Sequence, residues 1–158
     1  MTPQQFLTQL KSGKLAPVYL FVGPEMYRRR ICRKMLVEKF LPEDMREEGF
    51  VRHDLDETGL RDAVDDAGSL SLFVTKRVVW IGAAEAAVPK GHAAEAEAAA
   101  TAIVSAYAKN PTPDTIVVFD SSRLTFDNED KTKLERLRKI FSAVKDQVEF
   151  APYGVEEA

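Results

Sequence analysis

Three near-continuous apolar runs stand out along the chain, at residues 18–22, 78–81 and 115–119. They are rich in β-branched and aromatic residues and too short for helices, which predicts strands buried on both faces. Weaker runs at residues 50–55 and 148–150 predict a second and a last strand. The segments between them switch to helical spacing. Thr2-Pro-Gln-Gln5 has the form of a capping box with proline at the first helical position, followed by Phe6, Leu7 and Leu10 and closed by Gly13. A longer helix is expected from Pro24 to about Leu41. Tyr27, Ile31 and Met35 share one face, continued by Leu36 and Phe40, with Arg28, Arg29, Arg33 and Lys34 largely off it. Leu60, Ala63, Val64 and Ala67 are spaced i, i+3, i+4, i+7 ahead of Gly68. An Ala/Glu-rich helix is expected from about Ala93 to Lys109, with Ala99, Ile103 and Tyr107 facing inward. A last helix, capped near Asp130, carries Leu134, Leu137, Phe141 and Val144 inward, and residues 83–89 and 121–129 read as loops.

Strand and helix therefore alternate through one domain of about five strands. Parallel crossovers must cover both faces of such a sheet, so the expected fold is α/β, with helices on either side. Ligands in this class sit beyond the carboxyl ends of the strands. One stretch resists the pattern. Leu70-Ser71-Leu72-Phe73 is a small apolar knot between Gly68 and the charged pair Lys76-Arg77. Large apolar side chains in a connection are either tucked under the core or held out for a partner.

Composition narrows the class. With 45% hydrophobic and 30% charged residues and a net charge of −3, the chain reads as an ordinary globular domain rather than a polyanion binder. A single cysteine excludes an intrachain disulfide and fits a reducing cytoplasm. No signal peptide or apolar run of membrane-spanning length is evident, so no membrane association is expected.

The expected catalytic loops offer little. After the first strand, Gly23 stands where a P-loop would begin, but Arg28, Arg29 and Arg30 replace its second glycine, its lysine and its magnesium-binding hydroxyl, and Pro24 removes an N–H donor. The arginines read as a solvated basic face in preference to a residual anion site. Asp120 ends the fourth run without a neighbouring glutamate, and reads as a loop or capping residue. His53 and His92 are far apart and Cys32 has no histidine nearby, so neither a zinc site nor a thiol nucleophile is expected. Asp54 and Asp56 lack the acidic partners of a phosphoacceptor site. Lys131, Lys133, Arg136, Arg138 and Lys139 are interleaved with Glu129, Asp130 and Glu135 and read as a solvated face. No catalytic residue, metal or cofactor is assigned.

The ordered pieces resemble a family. Pro17-Val-Tyr-Leu-Phe-Val-Gly-Pro-Glu25, then residues 71–81, 107–118 and 148–152, are similar in sequence and order to the delta subunit of the bacterial DNA polymerase III clamp loader. The resemblance implies a three-layer AAA+/P-loop-like fold with a degenerate nucleotide site. It implies a wrench that binds the beta sliding clamp and opens it in DNA replication. Carried over residue by residue, the clamp contact is a hydrophobic wedge at Leu72 and Phe73, supported by Leu70 and Ser71. Gly68 stands where clamp-binding peptides often place a glutamine, so an amide contact is not expected. Residues 1–150 would form the N-terminal clamp-binding domain and residues 151–158 the start of a linker to a second domain. The other loader subunits would be contacted mainly through later domains, and DNA indirectly, as part of the polymerase holoenzyme. The isolated chain is expected to be a monomer. Two other readings stay open: a different non-catalytic AAA+ adaptor, such as a delta-prime subunit, although that usually carries a four-cysteine zinc module, or a small-molecule enzyme with a polar pocket beyond the strands.

Overall fold

The computed structural model describes residues 1–69, 72–91 and 93–152. Five strands form a single parallel sheet in the order β2-β3-β4-β1-β5: β1 (Val18–Val22), β2 (Phe50–Asp54), β3 (Arg77–Gly82), β4 (Thr115–Ser121) and β5 (Asp146–Glu149). The three central strands are those with continuous apolar runs, and the half-buried β2 lies at an edge. Helices α1 (Pro3–Lys11) and α2 (Tyr27–Phe40) cover one face. Helices α4 (Leu60–Ala67), α5 (Ala94–Lys109) and α6 (Lys131–Ile140) cover the other, and the short α3 (Arg46–Gly49) leads into β2.

The period-two alternation of strand side chains explains the two cores. Val18, Leu20 and Val22 point toward α4, α5 and α6 with Val79, Ile81, Val117 and Phe119. Tyr19 and Phe21 point toward α1 and α2 with Trp80, Ile116 and Val118. On this second side Phe6, Phe21 and Trp80 form successive edge-to-face contacts at centroid distances of 5.4 and 5.3 Å, each worth about 0.5–1.5 kcal/mol beyond area burial. The capping box on α1 forms as expected: Gln5 N–H donates to Thr2 Oγ1 and Thr2 N–H to Gln5 Oε1.

Several expectations need correction. Helix α2 begins at Tyr27, not Pro24, because residues 23–26 turn beside Phe150 and Glu25 accepts the Arg28 N–H at 3.1 Å. Its buried face is Arg29, Cys32 and Leu36, whereas Tyr27 is 63% exposed. Helix α5 is rotated in the same way, burying Ala100, Val104 and Tyr107 and leaving Ala99 exposed. Residues 84–87 form a 3-10 turn entered through Ala83 at φ 52°, rather than an irregular loop. Helix α6 places Leu134 and Leu137 in the core as expected, while Phe141 and Val144 join the core from beyond its last residue, Ile140; Asp130 makes no side-chain cap and accepts instead from Thr125 N and Oγ1. His92 lies outside the described residues, while His53 Nε2 pairs with Asp66 Oδ2 at 2.8 Å.

Candidate partner-binding site

Two places on this scaffold merit scrutiny, and they lie at opposite ends of the sheet. One is the turn after β1, at the carboxyl ends of the strands. The other is the connection before β3, at their amino ends.

In the turn after β1, Arg29 is buried rather than solvated. Its side chain is 3% exposed, and Nε donates to Asp120 Oδ1 at 2.7 Å. The remaining guanidinium nitrogens donate to Glu25 O at 2.9 Å and Ser121 O at 3.1 Å, and the group lies 4.6 Å from the centre of the Phe150 ring. Asp120 belongs to β4 rather than a loop, and its other oxygen accepts from Trp80 Nε1 at 3.3 Å. Burial pushes the Asp120 carboxyl above its ordinary range, opposed by the charge and hydrogen bond of Arg29 and by Trp80, and reinforced by Glu85. Arg28 is also engaged, donating to Glu25 Oε1 at 2.6 Å and to Ala151 O at 2.6 Å. Gly23 sits at φ +107°, and a Cβ there would clash with Phe150 O and meet the Phe126 ring at 2.8 Å. The turn is thus filled by its own side chains and by the chain around Phe150. A diphosphate would have to displace an ion pair and an aromatic ring to approach these N–H groups.

The other candidate chemistry is inert or internally paired. Burial pushes the Cys32 thiol up to about 12, which leaves it a packed thiol beneath α1. A cavity of about 610 Å³ opens beyond β3 and β4, a pocket of mixed apolar and charged lining that sequence reasoning missed. Its charges largely neutralise one another. Arg123 bridges Asp56 and Glu85 at 2.7 Å each, and Arg136 holds Glu97 and Pro89 O. Nothing in the sequence marks these partners, which come from four separate elements. Among the described residues no three His, Cys, Asp or Glu side chains converge to hold a metal. Among the described residues no helix is long and apolar enough to cross a membrane.

Before β3 the geometry is different. Leu72 is 94% and Phe73 85% exposed. Leu70 and Ser71 lie outside the described residues. The flanks of this connection are fixed. Gly68 closes α4 with right-handed backbone (φ −81°), its N–H donating to Val64 O and Asp65 O. Arg77, largely buried, donates to Asp66 O at 3.0 Å, Ser69 O at 3.3 Å and Asp66 Oδ2 at 3.0 Å, and its own N–H bonds Asp114 O. Burial would raise the Asp66 carboxyl, but the hydrogen bond from His53 and the charge of Arg77 outweigh it and hold it below the ordinary range. Lys76 Nζ lies 5.0 Å from the Phe40 ring centre. Hydrogen-bonded flanks therefore bracket two large apolar side chains that face solvent.

Comparison with known proteins places the chain. The family model described as DNA polymerase III, delta subunit, matches residues 19–147. The chain belongs to this delta subunit family. The match starts in β1 and ends in β5, so this delta-family sheet is covered from its first strand to its last. Among solved structures, the Bacillus subtilis DNA clamp loader delta protein YqeN superposes with a TM-score of 0.71 at 18% identity, which shows a shared fold. The alignment covers 99% of this chain and 44% of YqeN, so the delta-family chain spans less than half the length of that protein. No curated protein matches it in sequence.

Proposed function

We propose that this delta-family chain acts in the cytoplasm as the clamp-binding part of a DNA polymerase III clamp loader. Residues 1–150 form the clamp-binding domain. The beta sliding clamp takes Leu72 and Phe73 into an apolar pocket, with Leu70 and Ser71 completing the contact. The exposure of Leu72 and Phe73 between hydrogen-bonded flanks carries this reading. Burying a leucine and a phenylalanine at a partner contributes about 3–6 kcal/mol before association costs, enough for two residues to dominate an interface. Opening the ring needs no chemistry from this domain. Tighter binding to the open ring than to the closed one shifts the equilibrium by that difference. The self-filled turn after β1 supports a nucleotide-independent role, in which ATP acts through other subunits and DNA is reached only through the assembly.

The test is clamp binding by surface plasmon resonance with Leu72→Ala/Phe73→Ala. Binding should fall at least about 100-fold, as expected when a hot-spot pair is truncated, while the melting temperature stays within about 2 °C. Undiminished clamp binding by the double variant would refute the wedge. Saturable ATP binding at micromolar concentration, measured by calorimetry, would refute the nucleotide-independent part.

A further inference from the structure

We propose that the cleft between α2 and the open edge of β2 binds an acidic, extended segment of a protein partner. The cleft, about 360 Å³, is lined by Arg33, Lys34, Arg46 and Arg52 above Val37 and Phe50, with Glu38 the one acidic residue on its wall. Two separate elements supply the charge. Arg33, Lys34 and Val37 share one stripe of α2, and Phe50 and Arg52 alternate onto the same side of β2.

These charges are not neutralised internally, as those of six other arginines are. Arg28, Arg29, Arg77, Arg123, Arg136 and Arg138 each hold a carboxylate. Among the described residues, none of the four cleft cations forms an ion pair. Two of them are oriented by the protein: Arg46 donates to Leu41 O and Glu38 O at 3.2 Å each, and Arg33 lies 5.6 Å from the centre of the Trp80 ring. A predominantly basic rim above apolar side chains complements a strand whose carboxylates and aliphatic groups alternate.

The sheet supplies the rest of the recognition. β2 ends the strand order, and among the described residues its ladder partner is β3 alone. An added strand would take up the outer N–H and C=O groups of β2 while its acidic side chains met Arg52 and the α2 cations. A second copy of this chain is a poor occupant, since it would set like charges directly opposite each other. A nucleic acid is also disfavoured. The molecule carries a net charge of −3. Trp80 is buried and Phe50 half-buried, so the cleft offers no open ring for base stacking.

The test is fluorescence anisotropy on the 158-residue chain with a labelled ten-residue peptide of alternating glutamate and valine. An alternating glutamine–valine peptide and a 20-nucleotide single-stranded DNA serve as comparisons. Saturable binding of the acidic peptide is expected, weakening about tenfold in Lys34→Glu/Arg52→Glu and falling as salt rises. Both residues are exposed, so the variant should keep its melting temperature. If it does not, Lys34→Gln/Arg52→Gln repeats the measurement without adding negative charge. Equal binding of the glutamine peptide, unchanged affinity in the variants, absence of saturable binding, or tighter binding of the DNA each overturns the proposal.

Discussion

Replacing Arg29 by methionine isolates the buried charge at the centre of the turn after β1. The side chain keeps most of its length and apolar stem, so the change removes the guanidinium rather than opening a large void. Asp120 is then left with Trp80 Nε1 at 3.3 Å as its remaining hydrogen-bond donor, while Glu25 O and Ser121 O each lose theirs. Breaking one partner of a buried pair costs about 3–5 kcal/mol. For a domain of this size that corresponds to about 9–15 °C in melting temperature. The cost has a defined pH dependence. The Asp120 carboxyl is already raised in the folded protein by burial, against the opposing influence of Arg29. Loss of Arg29 raises it further. A raised carboxyl favours folding fully below its unfolded value near 3.9 and loses that contribution as pH rises through the folded value. The deficit of Arg29→Met should therefore shrink between pH 7 and pH 5. Arg29→Met/Asp120→Asn has no proton to gain, so its deficit should be smaller at pH 7 and flat across this range. Denaturant titrations at both pH values decide the matter. A deficit under about 1 kcal/mol in Arg29→Met, or identical deficits in the single and double variants, would refute the reasoning.

Gly23→Ala should cost about 3 kcal/mol or more in chemical denaturation, because the new Cβ meets backbone at Phe150 and the native φ of +107° disfavours any side chain. Asp66→Asn should cost about 1 kcal/mol at pH 7, discounted for partial exposure. Since the Asp66 carboxyl is depressed, its contribution is present above about pH 4 and lost as pH falls through the folded value, so variant and parent should converge in acid. Cys32 should resist iodoacetamide at pH 8 in the native protein and react only after unfolding, because its thiol titrates near 12.

The strands were legible because continuous apolar runs leave a sheet one way to bury them, and 18–22, 78–81 and 115–119 all became central. Helix phase was less legible. In α2 hydropathy excluded Arg29 from the buried face, yet its countercharge arrives from β4, 91 residues later. A pattern that scores each residue alone cannot register that pairing. In α5 the run of alanines makes neighbouring faces nearly equal in hydropathy, so Tyr107 was placed correctly while Ala99 replaced Ala100. One signal for the buried pair was present: an aspartate at the end of a buried strand and an arginine in the register of a P-loop lysine are complementary charges where this fold brings elements together. The apolar knot was conspicuous, but the exposure of Leu72 and Phe73 depends on the residues around them in space, which residue order does not reveal.

The hydrogen-bonded flanks have an entropic consequence. Because Arg77 ties Ser69 and Asp66 to the first residue of β3, the two ends of the connection are held together by hydrogen bonds, and folding has already met part of the entropy of closing it. A partner that closes over Leu72 and Phe73 would then meet a segment tethered at both ends, not a free tail. More of the gross contact energy is then left as affinity, and a load applied at the tip passes directly into the middle of the sheet.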